Sequence, residues 1–160
     1  STRAIKENKM SDKSTVEEIL EFAINAEQES ADLYEGLAKQ ARNSAIQKSF
    51  LEFAKEEMGH KAKLLEVKAG NRQLKPEAEV MDLKLADYVV DVIPGPDAEY
   101  QDVLIYAMKK EKAAFRLYSD LAGETSDAEI KALLLGLAQE EAKHKLRFEV
   151  EYDEVILVEN

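Results

Sequence analysis

The chain has two histidines, and each follows a glutamate by three residues, as Glu57-x-x-His60 and Glu141-x-x-His144. On a helix, residues at positions i and i+3 project to nearly the same side. Each pair can therefore offer a carboxylate oxygen and an imidazole nitrogen to one point in space. Oxygen and imidazole ligands suit iron or manganese. The spacing thus indicates two similar half-sites for metal ions.

Each pair has a third potential ligand on the preceding helix. Glu27 stands 30 residues before Glu57, and Glu111 stands 30 residues before Glu141. All four glutamates fall on helix faces that are otherwise apolar, where desolvation and mutual repulsion make ionised carboxylates costly. Two divalent cations would cancel the four charges, and the two neutral histidines would complete the sites. We therefore predict a two-metal centre with the ligands Glu27, Glu57, His60, Glu111, Glu141 and His144.

Four amphipathic helices must position these residues, because apolar side chains recur every three or four positions through four segments. We predict helix starts at a Thr15–Glu18 capping box, at a box formed by Ser44 and Gln47, near Asp97, and at Ser126–Asp127. The fold class is therefore all-α, a four-helix bundle. Residues 1–14 are expected to be a flexible N-terminal tail, and residues 15–160 to be a single domain.

The connection between the second and third helices, residues 71–96, is long for adjacent helices and suits a crossover that makes these helices parallel. Within it, residues 83–92 are predicted to hold a short strand or a helical turn. After the fourth helix, the apolar segment 152–158 is predicted to dock onto the bundle or onto a partner chain.

An internal repeat supports this architecture. When the chain is shifted by 84 residues, 13 of the 44 positions in residues 23–66 are identical to residues 107–150, against about 3 expected from average composition. The identities include the potential ligands and the pair Tyr34 and Tyr118. We interpret the repeat as a duplicated helical hairpin, with a pseudo-two-fold axis that relates the two half-sites.

Two further pairs of residues accompany the ligands. Tyr34 and Tyr118 lie seven residues after the first-helix and third-helix glutamates. They are either core aromatics or residues whose hydroxyls hydrogen-bond metal-bound carboxylates. Glu56 and Glu140 point about 100° away from the ligand face of a helix and are predicted to be surface charges.

Composition excludes several other classes. The sequence has no cysteine, which excludes disulfides and thiolate-held metal centres on these residues. A net charge of −11 argues against binding to nucleic acid. No apolar run approaches the ~20 residues that cross a membrane. The N-terminus has no apolar region of a secretory signal, so a cytoplasmic location is expected.

With these motifs in place, the chain resembles the ferritin-like superfamily and, within it, the di-iron domain of the rubrerythrins. The resemblance implies that Glu57 and Glu141 bridge the metals, that Glu27 and Glu111 are terminal ligands, and that each histidine binds one iron. Three features depart from the rubrerythrin pattern. The cysteines of a rubredoxin domain are missing, Ala114 stands where a further glutamate is expected, and the last histidine follows its glutamate by three residues instead of four. The ligand set is closer to that of bacterioferritin-type sites.

The function that follows is a di-iron oxidoreductase that reduces hydrogen peroxide or dioxygen while cycling between Fe(II) and Fe(III), with electrons from an external donor. Manganese is an alternative metal, as in a di-manganese catalase. The rival interpretations are a ferroxidase or iron-handling protein, a non-enzymatic metal- or redox-sensing module, and a bundle that its metals only stabilise. The superfamily resemblance and the apolar C-terminal segment favour a homodimer.

Overall fold

The computed structural model describes residues 14–70 and 83–159, and their main elements are four long helices. These are α1 (Val16–Gln40), α2 (Ser44–Lys68), α3 (Tyr100–Glu124) and α4 (Ala128–Glu159), with a short 3-10 helix, Leu85–Tyr88, before α3. The described residues confirm the predicted all-α four-helix bundle. The 3-10 helix is the helical turn that was one of the two alternatives for residues 83–92. Residues 1–13 of the predicted tail and residues 71–82 of the connection lie outside the described residues.

Local hydrogen bonds explain where the helices begin. Thr15 and Glu18 form the predicted capping box of α1. The predicted box at Ser44 is wrong, because the side chain of Asn43 accepts the backbone N–H of Ile46 and so caps α2 one residue earlier. The carboxylate of Asp127 accepts two backbone N–H groups at the start of α4.

Two helix boundaries differ from the prediction. Helix α3 begins at Tyr100, three residues after Asp97, because Ala98 still belongs to a turn in which its N–H donates to Gly95. Helix α4 continues to Glu159, so residues 152–158 are helical and do not form a separate segment. No glycine or proline interrupts this stretch, and the buried Val155 keeps it packed against the bundle.

Contacts at one end of the bundle establish the helix directions. Arg42, in the turn between α1 and α2, donates to Glu151 of α4 at 2.7 and 3.1 Å. The hydroxyl of Tyr100, the first residue of α3, donates to the same carboxylate at 2.7 Å. Both α2 and α3 therefore begin at this end and run in the same direction, which is the arrangement that a crossover connection requires.

The core consists of two apolar clusters with the polar residues of the next section between them. One cluster includes Ile19, Leu64, Leu121 and Ile130. The other is rich in aromatic residues and includes Phe50 and Phe148. Ser14, the last residue of the predicted tail, is buried, and its N–H donates to the carbonyl of Leu83.

None of the helices in the described ranges combines the length and the apolar character that a membrane span needs.

Candidate metal centre

The structure brings all six predicted ligands together in the middle of the bundle. Each helix contributes from near its centre: α1 and α3 supply one glutamate each, and α2 and α4 supply a glutamate and a histidine each. The six side chains are buried, with exposed fractions of 0 to 4%. These residues are Glu27, Glu57, His60, Glu111, Glu141 and His144. Their burial is the consequence of lying on the apolar stripes of their helices.

A first group of four potential ligands consists of His60 and the three glutamates around its imidazole. Its Nδ1 atom lies 3.1 Å from Glu141 Oε1, 3.4 Å from Glu57 Oε1 and 3.7 Å from Glu27 Oε2. One ligand atom from each of these four residues lies within 4.8 Å of the others. Such a set of three carboxylates and one imidazole can hold one divalent cation.

A second group surrounds His144. Its Nδ1 atom lies 3.2 Å from Glu57 Oε1, and 3.7 Å from both Glu111 Oε1 and Glu141 Oε1. Four ligand atoms again lie within 4.8 Å of one another. Glu57 and Glu141 belong to both groups, whereas each of the other ligands belongs to one.

The polar atoms of this cluster lack hydrogen-bond partners. Among the described residues, eight buried ligand atoms make no hydrogen bond: both oxygens of Glu57 and of Glu111, one oxygen of Glu27 and of Glu141, and Nδ1 of each histidine. Buried polar groups in folded proteins are almost always paired, since each unpaired group costs about 1–3 kcal/mol. Two cations would satisfy this concentration of unpaired ligand atoms in one place. The residues present therefore fit a two-metal centre.

Burial changes the acidity of three of the carboxyl groups. Desolvation raises the pKa of Glu27 to about 8. Burial also raises the pKa of Glu111, and it raises the pKa of Glu141 well above its usual value, with further upward contributions from neighbouring carboxylates. With a pKa of about 8, the carboxyl group of Glu27 tends to keep a proton at neutral pH.

For the histidines and Glu57, neighbouring groups outweigh the effect of burial on the pKa. Burial acts to lower the pKa of His60, but Glu27 and Glu57 outweigh it and raise that pKa to about 9. The pKa of His144 rises to about 11, since Glu111 and Glu57 outweigh burial. Burial acts to raise the pKa of Glu57, yet contacts with both histidines lower it below its usual value. Protons thus balance charge in the metal-free cluster, and cations would displace them.

The two predicted tyrosines differ in their contacts. Tyr118 is buried, and its hydroxyl donates a short hydrogen bond to Glu27 Oε1 across from α3 to α1. Burial raises its pKa well above the usual value, so the hydroxyl keeps its proton. Tyr34 is also buried, but its hydroxyl has no hydrogen-bond partner among the residues that the structure describes. Its ring meets the imidazole of His144 edge-on, with the ring centroids 6.2 Å apart.

Glu56 is exposed, as predicted for a surface charge, and it also contacts one of the predicted ligands. Although the side chain is 46% exposed, its Oε2 lies 2.5 Å from Nε2 of His144. In the neutral imidazole that a metal ion would bind, a proton on Nε2 would be held by Glu56, which would leave the lone pair of Nδ1 facing the ligand cluster. Glu140 lies close enough to join Glu56 and His144 in a group of three. The sequence signal was that both residues are retained in the repeat.

Comparisons with known proteins agree with this geometry. The model of the protein family described as Rubrerythrin matches residues 18–152. A crystal structure from Thermotoga maritima, described provisionally as a ferritin-like diiron-carboxylate protein, superposes with a TM-score of 0.76 at 21% identity and covers 90% of this chain and 98% of that one. A hypothetical protein from Pyrococcus furiosus has a TM-score of 0.68 at 27% identity, with coverages of 88% and 89%. No curated protein matches the chain.

Proposed function

Because this chain belongs to the rubrerythrin family, we propose that its buried cluster holds two iron ions and that the protein is an oxidoreductase that reduces hydrogen peroxide or dioxygen. One observation carries the proposal: the two groups of four ligand atoms share Glu57 and Glu141. Two carboxylates common to both groups can hold two cations side by side, as in the di-iron carboxylate bundles. Two neighbouring iron ions that each supply one electron can together carry out a two-electron reaction at one site.

The proposed roles of the ligands follow from the two groups. Glu57 and Glu141, which belong to both groups, would be ligands of both ions. Glu27 and His60 complete the first position, and Glu111 and His144 complete the second. The result is four negative charges and two neutral imidazoles around two divalent ions, which leaves no net charge in the apolar interior.

A bound iron pair supplies one electron from each ion, enough to convert hydrogen peroxide and two protons to two water molecules. The chain's own residues set the conditions for this chemistry. The four carboxylates favour the more highly charged oxidised metals. The hydrogen bond from Tyr118 fixes the orientation of Glu27. An external donor returns the electrons.

Metal stoichiometry provides the first test. Wild-type protein loaded anaerobically with Fe(II) should hold two ions per chain. Glu57→Ala should lose both, because both positions use this carboxylate. Glu52→Ala is the matched control, since Glu52 is exposed on the same helix more than one turn away. Retention of two ions by Glu57→Ala would refute the shared-ligand assignment.

Rapid mixing separates the possible activities. Fast two-electron oxidation of the loaded protein by hydrogen peroxide supports a peroxidase, and fast oxidation by dioxygen alone supports an oxidase. Growth of a ferric core with excess Fe(II) would instead assign the protein to iron handling. Oxidation by neither reagent would leave the metals a structural role, and preferential retention of manganese would overturn the assignment of iron.

A further inference from the structure

A cavity of about 340 Å³ connects the ligand cluster with the protein surface. It lies between α1 and α3 under residues 88–93. Its wall includes Glu27 and Glu141, which are buried ligands, and also Ile93, which is 73% exposed. The cavity is far larger than dioxygen or hydrogen peroxide requires. An engineered cavity of about 150 Å³ already holds benzene.

The wall is mainly apolar and contains four aromatic rings. The rings belong to Phe22, Tyr88, Tyr106 and Tyr118. Between them lie small side chains, among them Ala26, Ala113 and Ala114. A surface of this kind favours a planar apolar molecule, because aromatic rings pack well edge-on or offset against one another.

The charges on the wall disfavour an anion. Lys110 is the positive side chain of the wall, and its Nζ atom is already paired with Glu29 at 3.0 Å and lies 5.7 Å from the centroid of the Tyr106 ring. The remaining acidic groups of the wall are Glu27 and Glu141, so in the metal-free protein a carboxylate or phosphate ligand would meet carboxyl groups, and Lys110, the cation among the described wall residues, is already paired. A cation would have to shed its water against an apolar surface.

Polar groups near the cluster can recognise a hydroxyl. The hydroxyl of Tyr118 gives its proton to Glu27, which leaves its oxygen free to accept another hydrogen bond. Ser30 adds a second hydroxyl to the same wall. In a ligand with one hydroxyl on an aromatic ring, the ring would pack against the apolar wall and the hydroxyl would hydrogen-bond with Tyr118 or Ser30.

We propose that this cavity is a binding site for a small uncharged phenol, seated between α1 and α3 with its hydroxyl toward Tyr118. The cavity is formed by protein atoms alone, so the inference goes beyond the proposed redox function and does not depend on it. A phenol bound here would lie beside the metal ligands of the first group.

The test measures binding of para-ethylphenol to the metal-free protein by calorimetry and by NMR, with para-ethylbenzoate as the charged analogue. Wild type should bind the phenol at one saturable site, and the benzoate much more weakly. Ala114→Leu should bind the phenol at least about tenfold more weakly, since even one methylene changes the affinity of an apolar pocket by roughly 10- to 200-fold. Ala62→Leu is the matched control, because Ala62 is exposed on α2 and does not line the cavity.

Far-ultraviolet circular dichroism verifies that each variant folds, and Ala26→Val provides a second narrowing of the cavity from α1. Equal phenol affinity in wild type, Ala114→Leu and Ala26→Val would overturn the proposal. So would equal affinity for phenol and benzoate, or no binding of either by wild type. Iron content of the same variants is measured separately, so a failure of the cavity proposal leaves the metal assignment intact, and the reverse.

Discussion

Removing the metals should make the stability of this protein fall as the pH rises through neutrality. Folding raises the pKa of Glu27 from 4.5 to about 8 and that of His60 from 6.5 to about 9. Both groups therefore hold protons in the folded state that they release on unfolding between pH 6.5 and pH 8. A group whose pKa is raised by folding gives its full stabilisation below the unfolded pKa and loses it as the pH approaches the folded pKa.

The size of the effect follows from the number of protons. For each additional proton that the folded state binds, the free energy of unfolding falls by about 1.4 kcal/mol when the pH rises by one unit. His144, with a pKa of about 11, acts in the same direction. Glu141, whose pKa burial raises well above its usual value, also acts in this direction, so the slope is at least about 1.4 kcal/mol per pH unit. For a domain of this size, that is a fall in melting temperature of at least roughly 3 °C per pH unit.

The assay is thermal unfolding of chelator-treated and iron-loaded protein at several pH values between 6.5 and 8, at constant ionic strength. The loaded protein should show little dependence on pH, since its ligands hold metal in place of protons, so the gap between the two forms should widen with pH. In the metal-free Glu27→Gln variant the slope should be smaller, because one titrating group is gone. A melting temperature of the metal-free protein that is constant or increases over this range would refute the reasoning.

Three further predictions concern contacts of individual side chains. Tyr118→Phe should lower the stability of the metal-free protein by about 1–3 kcal/mol in denaturant unfolding, since a buried carboxyl loses its donor; an unchanged midpoint would contradict this. Glu56→Gln should weaken metal binding about 10- to 100-fold in competition with a chelator, because His144 loses the carboxylate that orients it; equal affinities would show that the contact is incidental. Arg42→Met should cost about 1–3 kcal/mol at neutral pH, because the buried Glu151 loses its cation and keeps only the hydrogen bond from Tyr100. Because the pKa of Glu151 is lowered, this difference should shrink as the pH falls below the usual range of a carboxyl group, and a difference that persists in acid would exclude the ion pair as its cause.

The ligands could be predicted from the sequence because their signal is local. A glutamate three residues before each histidine, on a stripe that is otherwise apolar, can be recognised within a single helix. The start of α1 is equally local, since Thr15 and Glu18 make both bonds of the capping box between themselves. The repeat then allowed the ligands and helices of the second hairpin to be predicted from those of the first.

Contacts between helices could not be predicted in the same way. Glu56 points away from the ligand face of α2, yet its long side chain reaches Nε2 of His144 on α4. A helical projection gives the direction of a side chain but not the position of the neighbouring helix. The cavity between α1 and α3 depends likewise on the packing of two helices that are distant in sequence.

The duplicated half-sites have diverged, and the surroundings of the two histidines show how. The ring centroids of Phe53 and His144 lie 4.2 Å apart, and Phe148 packs against both Phe53 and Tyr34. At the positions related by the 84-residue shift, the chain has leucines in place of Phe50, Phe53 and Phe148, namely Leu134, Leu137 and Leu64.

The cavity lies on the other side of the cluster, against Glu27, Glu141 and Tyr118. The first group of ligands therefore faces a route from the surface, whereas aromatic rings pack against His144 of the second. Two ions in this bundle would have nearly the same ligands but unequal access, and an incoming molecule would reach the position beside Glu27 first. A phenol bound in the cavity should therefore shield the position beside Glu27 from incoming molecules more than the position beside Glu111. Such selective shielding would connect the cavity with the chemistry of the site.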